Sequence, residues 1–145
     1  MTYAGFKSLL HAGLNEEDPR VSAALDWIKS NWTFAENPGA GKQGVYYYRH
    51  ALGRTMQVSG MEQILTTDGI AHPWRSELIA ALIADQNEEG YWVNPEPRWL
   101  EGEKTLATCY AILALEEALK GSGRLSSPLE TPESDSSDRV TPAQE

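Results

Sequence analysis

Apolar residues recur at three- and four-residue steps in five stretches of the chain, and each stretch predicts an α-helix. The pattern is clearest in the second stretch, where Val21, Leu25 and Ile28 follow Asp18-Pro19, an N-cap residue with a proline at the first helical position. The five predicted helices cover residues 2–14, 19–32, 45–58, 73–85 and 105–119.

The fifth predicted helix differs from the others because it is apolar nearly all round. A helix with this pattern is expected to be buried on every face, so it predicts an inner layer, and the lone Cys109 is expected to be a small buried residue. The second and fourth helices carry polar stripes and are expected to lie in an outer layer. His72 is interpreted as a helix-start residue, and residues 59–71 are predicted to form a loop.

The segment Gln86-Asn-Glu-Glu-Gly-Tyr-Trp92 separates the fourth helix from the connection that leads to the fifth. Gln86 is expected to end the helix and to offer its amide to helix ends that leave backbone groups unpaired. Gly90 can take the positive φ that reverses the chain, and Trp92 offers a large apolar face with one N–H donor. The segment is thus predicted to join two helices.

This Q-x-x-x-G-x-W spacing resembles the QW repeat of squalene-hopene cyclases and of the related protein prenyltransferases. The resemblance covers roughly residues 2–120 and extends to the run Thr108-Cys-Tyr-Ala-Ile-Leu-Ala-Leu115. It implies an all-α fold of about five helices, stacked as hairpins like part of an α/α toroid. The implied role is scaffold and part of a mainly apolar cavity, with an isoprenoid as a possible ligand.

The motifs that carry catalysis in these families are absent from the sequence. Squalene-hopene cyclases protonate their substrate with an Asp-x-Asp-Asp motif, which this chain lacks. Prenyltransferases hold zinc with an aspartate two residues before a cysteine, and Ala107 takes that place before Cys109. We therefore predict no catalytic residue, no metal site and no cofactor. Since a complete toroid needs more helices than five, the chain is expected to be a fragment completed by the rest of a toroid or by another subunit.

Four tyrosines are the candidate cavity-lining residues: Tyr46, Tyr47 and Tyr48 on the third helix and Tyr110 on the fifth. Three consecutive residues of a helix point in three directions, so at most one or two of the three can line any one cavity. Two other functions stay open. One is a non-catalytic module that binds a protein or an isoprenoid, and the other is a fragment of a carbohydrate-active α/α barrel.

The carbohydrate hypothesis makes Glu101 or Glu103 the acid, and it needs a second carboxylate across a cleft. Both glutamates precede the fifth helix, where Glu103 or Thr105 is alternatively expected to cap the helix N-terminus.

Composition narrows the choice of partners. The net charge is −9, and no Lys/Arg cluster is longer than two residues. Both features argue against nucleic acid as a binding partner. No apolar run is long enough to predict a transmembrane segment. Residues 121–145 lack aromatic side chains and are predicted to be a disordered acidic tail, which leaves residues 1–120 as the folded segment.

Overall fold

The computed structural model describes residues 2–120, and this part of the chain is mostly helical. Its five helices are α1 (Thr2–His11), α2 (Pro19–Ser30), α3 (Val45–Ser59), α4 (Trp74–Asp85) and α5 (Lys104–Leu119). A short 3-10 helix, Arg98–Leu100, precedes α5. The predicted tail at 121–145 lies outside the described residues. Within residues 2–120, no helix has both the length and the apolar character needed to cross a membrane.

The second helix begins as predicted and ends two residues early. The Asp18 carboxylate accepts the backbone N–H of Arg20 at 2.9 Å, and Pro19 occupies the first helical position. The helix ends at Ser30, so Trp32 does not continue its apolar stripe. The indole N–H of Trp32 instead donates to Glu77 of α4 at 3.1 Å, which places this ring between two helices.

The prediction of a loop at residues 59–71 was wrong, because this segment contains most of a small antiparallel hairpin. Strand β1 (Ile64–Leu65) pairs with β2 (Ala71–His72), with Ile64 opposite His72. His72 is therefore a strand residue, not a helix-start residue, and its Nδ1 lies 2.8 Å from Glu77. Strands of two residues are too short for alternation to reveal them in the sequence.

Helix α3 lies at the centre of the fold, where it packs against α1, α4 and α5. Helix α2 packs on α1, and α4 packs on α5. The three odd-numbered helices thus lie side by side in chain order, and each even-numbered helix packs against one or two of them. This arrangement leaves α3 with the largest number of buried residues: Val45, Tyr46, Tyr48, Arg49, Leu52, Gly53, Thr55 and Met56.

Helix α5 is buried on one face only, so the prediction of burial on every face was wrong. The buried face carries a stripe of small side chains: Ala107, Ala111, Ala114 and Ala118. On other faces Ile112 and Leu113 are 46% and 39% exposed, and Cys109 is exposed rather than buried. Since both faces are apolar, periodicity could not separate them, whereas the spacing of the alanines marks the packed face.

Gly53 of α3 lies in close contact with both α4 and α5. A Cβ atom there would lie 2.9 Å from Leu78 Cδ2 and 3.5 Å from Glu117 Cβ. The Leu78 side chain is fully buried and has little room to move. The missing side chain of Gly53 therefore allows the three helices to pack together.

We predict that Gly53→Val lowers the free energy of unfolding by about 1–3 kcal/mol, because added methyl groups overpack this junction. Gly5→Val is the matched control, since Gly5 lies in α1 and a Cβ atom added there would have no neighbouring side chain within 4 Å. Urea titration followed by circular dichroism measures both variants. Equal losses in the two variants would contradict the close-packing role of Gly53.

Candidate functional site

The Gln86–Trp92 segment folds back onto the end of α4. Gln86 is the C-cap residue of α4, and its Nε2 donates to the Gly90 carbonyl at 2.9 Å. Gly90 has a φ of 86°, the left-handed value that permits the reversal. The buried indole of Trp92 donates its N–H to the carbonyl of Leu82 at 2.8 Å. This bond satisfies a carbonyl in the last turn of α4 that has no partner within the helix.

Trp92 also reaches α5. Its backbone N–H donates to Thr108 Oγ1 at 3.1 Å, and the Thr108 hydroxyl lies 3.4 Å from the Trp92 carbonyl. The segment therefore links the end of α4 to the second turn of α5. Its likeness to a QW repeat stays a prediction, whereas the helix-joining contacts of Gln86, Gly90 and Trp92 are properties of the structure.

Glu101 is a fully buried carboxylate that binds the N-terminus of α3. Its side chain is 0% exposed, and Oε1 accepts the backbone N–H of Tyr47 at 2.7 Å. That N–H belongs to the first turn of α3, where backbone donors have no partner within the helix and the helix dipole favours a negative charge. Glu101 thus caps α3 from a distant part of the chain.

The second oxygen of Glu101 extends this contact into the connection between α4 and α5. Oε2 accepts the Asn94 side-chain amide at 2.7 Å, and the same amide nitrogen donates to the Lys42 carbonyl, also at 2.7 Å. The Asn94 backbone N–H donates to the Glu101 carbonyl at 2.9 Å. Glu103 does occupy the N-cap position of α5, but its side chain makes no capping hydrogen bond.

An open cavity of about 590 Å³ lies beside α1, α2, α3 and α5. Six aromatic side chains line it: Tyr3, Trp27, Tyr47, Tyr48, Trp99 and Tyr110. We call it the aromatic cavity. Five of these rings form two groups with edge-to-face contacts. In one group Tyr3 meets Tyr48 at 5.3 Å and Trp27 at 6.1 Å between centroids, and in the other Tyr47 meets Tyr110 at 5.6 Å. The small residues Ala4 and Ala51 also line the cavity.

The structure brings three of the four predicted cavity tyrosines to this one cavity. Tyr47 and Tyr48 lie on neighbouring positions of α3, one toward α5 and the other toward α1, and Tyr110 lies on α5. Tyr46 points elsewhere, because successive residues of a helix are turned by about 100°. Their role as ligand contacts stays a prediction.

Tyr46 lines a second, more polar cavity of about 400 Å³ that also contains Arg49 and Asp85. Arg49 is buried, and its Nε and Nη2 donate to the Phe34 carbonyl at 3.0 and 2.8 Å. Its Nη1 lies 2.7 Å from Asp85, an ion pair whose angle is not that of a hydrogen bond. Burial and the nearby Asp85 carboxylate raise the pKa of Tyr46 to about 12. The charges of Arg49 and Asp85 are thus already paired with one another.

The aromatic cavity is uncharged near neutral pH. Burial raises the pKa of Tyr3 to about 12 and also raises the pKa of Tyr48 well above its usual range. The Tyr48 hydroxyl donates to the Thr33 carbonyl at 2.7 Å and lies 3.3 Å from the Tyr3 hydroxyl. No acidic or basic side chain belongs to the lining within residues 2–120. The same part of the chain contains no cluster of three His, Cys, Asp or Glu residues able to hold a metal ion.

Sequence reasoning missed Tyr3, Trp27 and Trp99 as lining residues, and it missed the capping role of Glu101. Tyr3 and Trp27 belong to apolar helices whose orientation the sequence does not give. Comparison with protein-family models, with curated proteins and with solved structures gives no match.

We predict that Trp92→Phe lowers the free energy of unfolding by about 2 kcal/mol, because it leaves the Leu82 carbonyl without its donor. Trp27→Phe is the matched control, since Trp27 is a partly exposed indole on α2. Thermal and urea unfolding of the two variants should show a clearly larger loss for Trp92→Phe. A loss no greater than that of the control would argue against this hydrogen bond as the helix-joining contact.

Proposed function

We propose that the chain is an α/α-toroid-like repeat segment of the squalene cyclase and prenyltransferase type, which supplies scaffold and one wall of a binding site for an apolar, isoprenoid-like ligand. The observation that carries this proposal is the aromatic cavity of about 590 Å³. Its volume falls within the range of small-molecule sites, which are concave and mainly apolar.

The helix order supports the toroid part of the proposal. Helices α1, α3 and α5 lie side by side in chain order, and α2 and α4 pack against them. Consecutive hairpins of an α/α toroid place alternate helices in an inner and an outer layer, so the odd-numbered helices correspond to the inner layer. The aromatic cavity opens beside these same helices, and Trp27 of α2 also lines it.

The chemistry of the lining supports binding rather than conversion by this chain. Aromatic faces and three alanines offer apolar contact area, and the hydroxyls of Tyr3 and Tyr48 are already engaged with one another and with Thr33. Protonation of a polyene requires an acidic group directed at the ligand, which the described lining does not supply. An acid for such a reaction would have to come from another part of a complete site.

A protein-binding module is the second candidate, and the exposed face of α5 favours it. Ile112 and Leu113 are exposed apolar residues on this helix, which also presents Cys109. The carbohydrate hypothesis has less support, since one of its two candidate acids, Glu101, is fully buried and binds the Tyr47 amide. A glycosidase acid has to face a cleft opposite a second carboxylate.

We predict that the purified chain binds farnesol and that Tyr110→Ala weakens this binding about tenfold, because the variant loses one aromatic contact. Tyr91→Ala is the control, since the Tyr91 ring lies outside the aromatic cavity and contacts Lys104. Isothermal titration calorimetry measures the three affinities.

The absence of farnesol binding by the unmodified chain would contradict the proposal. An equal effect of Tyr110→Ala and Tyr91→Ala would show that farnesol binds somewhere other than the aromatic cavity. Self-association of a chain that does not bind farnesol would favour the protein-binding candidate instead.

A further inference from the structure

Trp99 and Leu100 have an unusual backbone conformation. Their φ angles are 60° and 65°, and within residues 2–120 they are the only non-glycine residues with positive φ. A side chain makes this left-handed region unfavourable, so two such residues in succession persist only where neighbouring contacts hold them. Strain of this kind is concentrated at sites that bind ligands, which makes the surroundings of Trp99 informative.

The contacts that hold this turn lie on both sides of Trp99. Glu101, two residues later, is fixed by its buried hydrogen bonds to the Tyr47 amide and the Asn94 side chain. On the other side the indole packs directly on the backbone of Gly44, the N-cap residue of α3. A Cβ atom at Gly44 would lie only 2.4 Å from Cε3 of Trp99, so this packing requires glycine.

Burial alone does not explain why the indole is held in this place. Trp99 remains 53% exposed although it packs on Gly44, and its ring forms part of the aromatic cavity. Leu100 shares the unusual backbone and is 68% exposed, but it does not line the cavity. The strained turn therefore presents one aromatic face to the cavity and leaves the adjacent apolar side chain outside it.

We propose that Trp99 is a ligand-contacting wall that determines which apolar ligands the aromatic cavity accepts, and that Gly44 and Glu101 are its positioning residues. This inference depends on the proposed function, in which the cavity binds an isoprenoid-like ligand. It adds the residue that limits the cavity beside the N-terminus of α3. A ligand that fills the space between Tyr47, Tyr110 and Trp99 would meet the indole as its boundary, so ligand length depends on this ring.

The test compares Trp99→Ala with Leu100→Ala, two truncations in the same turn that differ in whether the side chain lines the cavity. Calorimetric titrations use farnesol and the longer geranylgeraniol. Trp99→Ala should weaken farnesol binding about tenfold through the lost aromatic contact. It should also lower the preference for farnesol over geranylgeraniol, because the boundary is removed. Leu100→Ala should leave both affinities within about twofold of those of the unmodified chain.

Gly44→Ala provides a second route to the same result, because its methyl group would displace the indole without removing it. Its farnesol affinity should fall to that of Trp99→Ala, and the double variant should be no weaker than either single variant. Circular dichroism establishes that each variant is folded. If Gly44→Ala does not fold, the comparison of Trp99→Ala with Leu100→Ala decides the question.

The possible outcomes separate this inference from the proposed function. Farnesol binding by the unmodified chain with equal affinities in Trp99→Ala and Leu100→Ala would overturn the role of Trp99 and leave the proposed function intact. If Trp99→Ala binds farnesol more weakly but keeps the preference for farnesol over geranylgeraniol, Trp99 does not determine ligand specificity, and the inference is also overturned. No farnesol binding by the unmodified chain would overturn both.

Discussion

The buried carboxylate of Glu101 connects two parts of the chain that are far apart in sequence. One oxygen accepts the Tyr47 amide at the start of α3, and the other accepts the Asn94 side chain in the connection between α4 and α5. A buried charge is costly unless it is paired or hydrogen-bonded, and the first turn of a helix supplies both a free donor and a favourable dipole. Glu101 thus fixes the connection to the start of α3, and the contacts of Asn94 with Lys42 and of Trp99 with Gly44 lie beside it.

The aromatic cavity depends on the same contact. Tyr47 contributes its amide to Glu101 and its ring to the cavity, and Trp99 lies two residues before Glu101. The Trp92 contacts fix the other end of this connection against α4 and α5. The connection between α4 and α5 thus contributes Trp99 to the cavity wall, and the contacts of Glu101 and Trp92 hold the two ends of this connection.

The sequence predicts the helices well because their apolar stripes and the Asp18-Pro19 cap are local signals. The hairpin at 64–72 was missed because its strands are two residues long. The packed face of α5 was missed because both its faces are apolar. Three of the tyrosines that line the cavity were predicted from the sequence. The roles of Glu101 and Trp99 could not be predicted, because each role depends on a contact with a residue about 50 positions away.

Hydrogen exchange of the Tyr47 amide in Glu101→Ala tests the central claim most directly. Removal of the carboxylate leaves the Tyr47 N–H without an acceptor, a loss of about 1–3 kcal/mol. The Asn94 amide keeps the Lys42 carbonyl as its acceptor. We predict that the amides of Tyr47, Asn94 and Leu100 lose protection together, while the amide of Leu52 in the middle of α3 keeps its protection. Unchanged protection at Tyr47 would contradict the claim that Glu101 holds the cavity wall to α3.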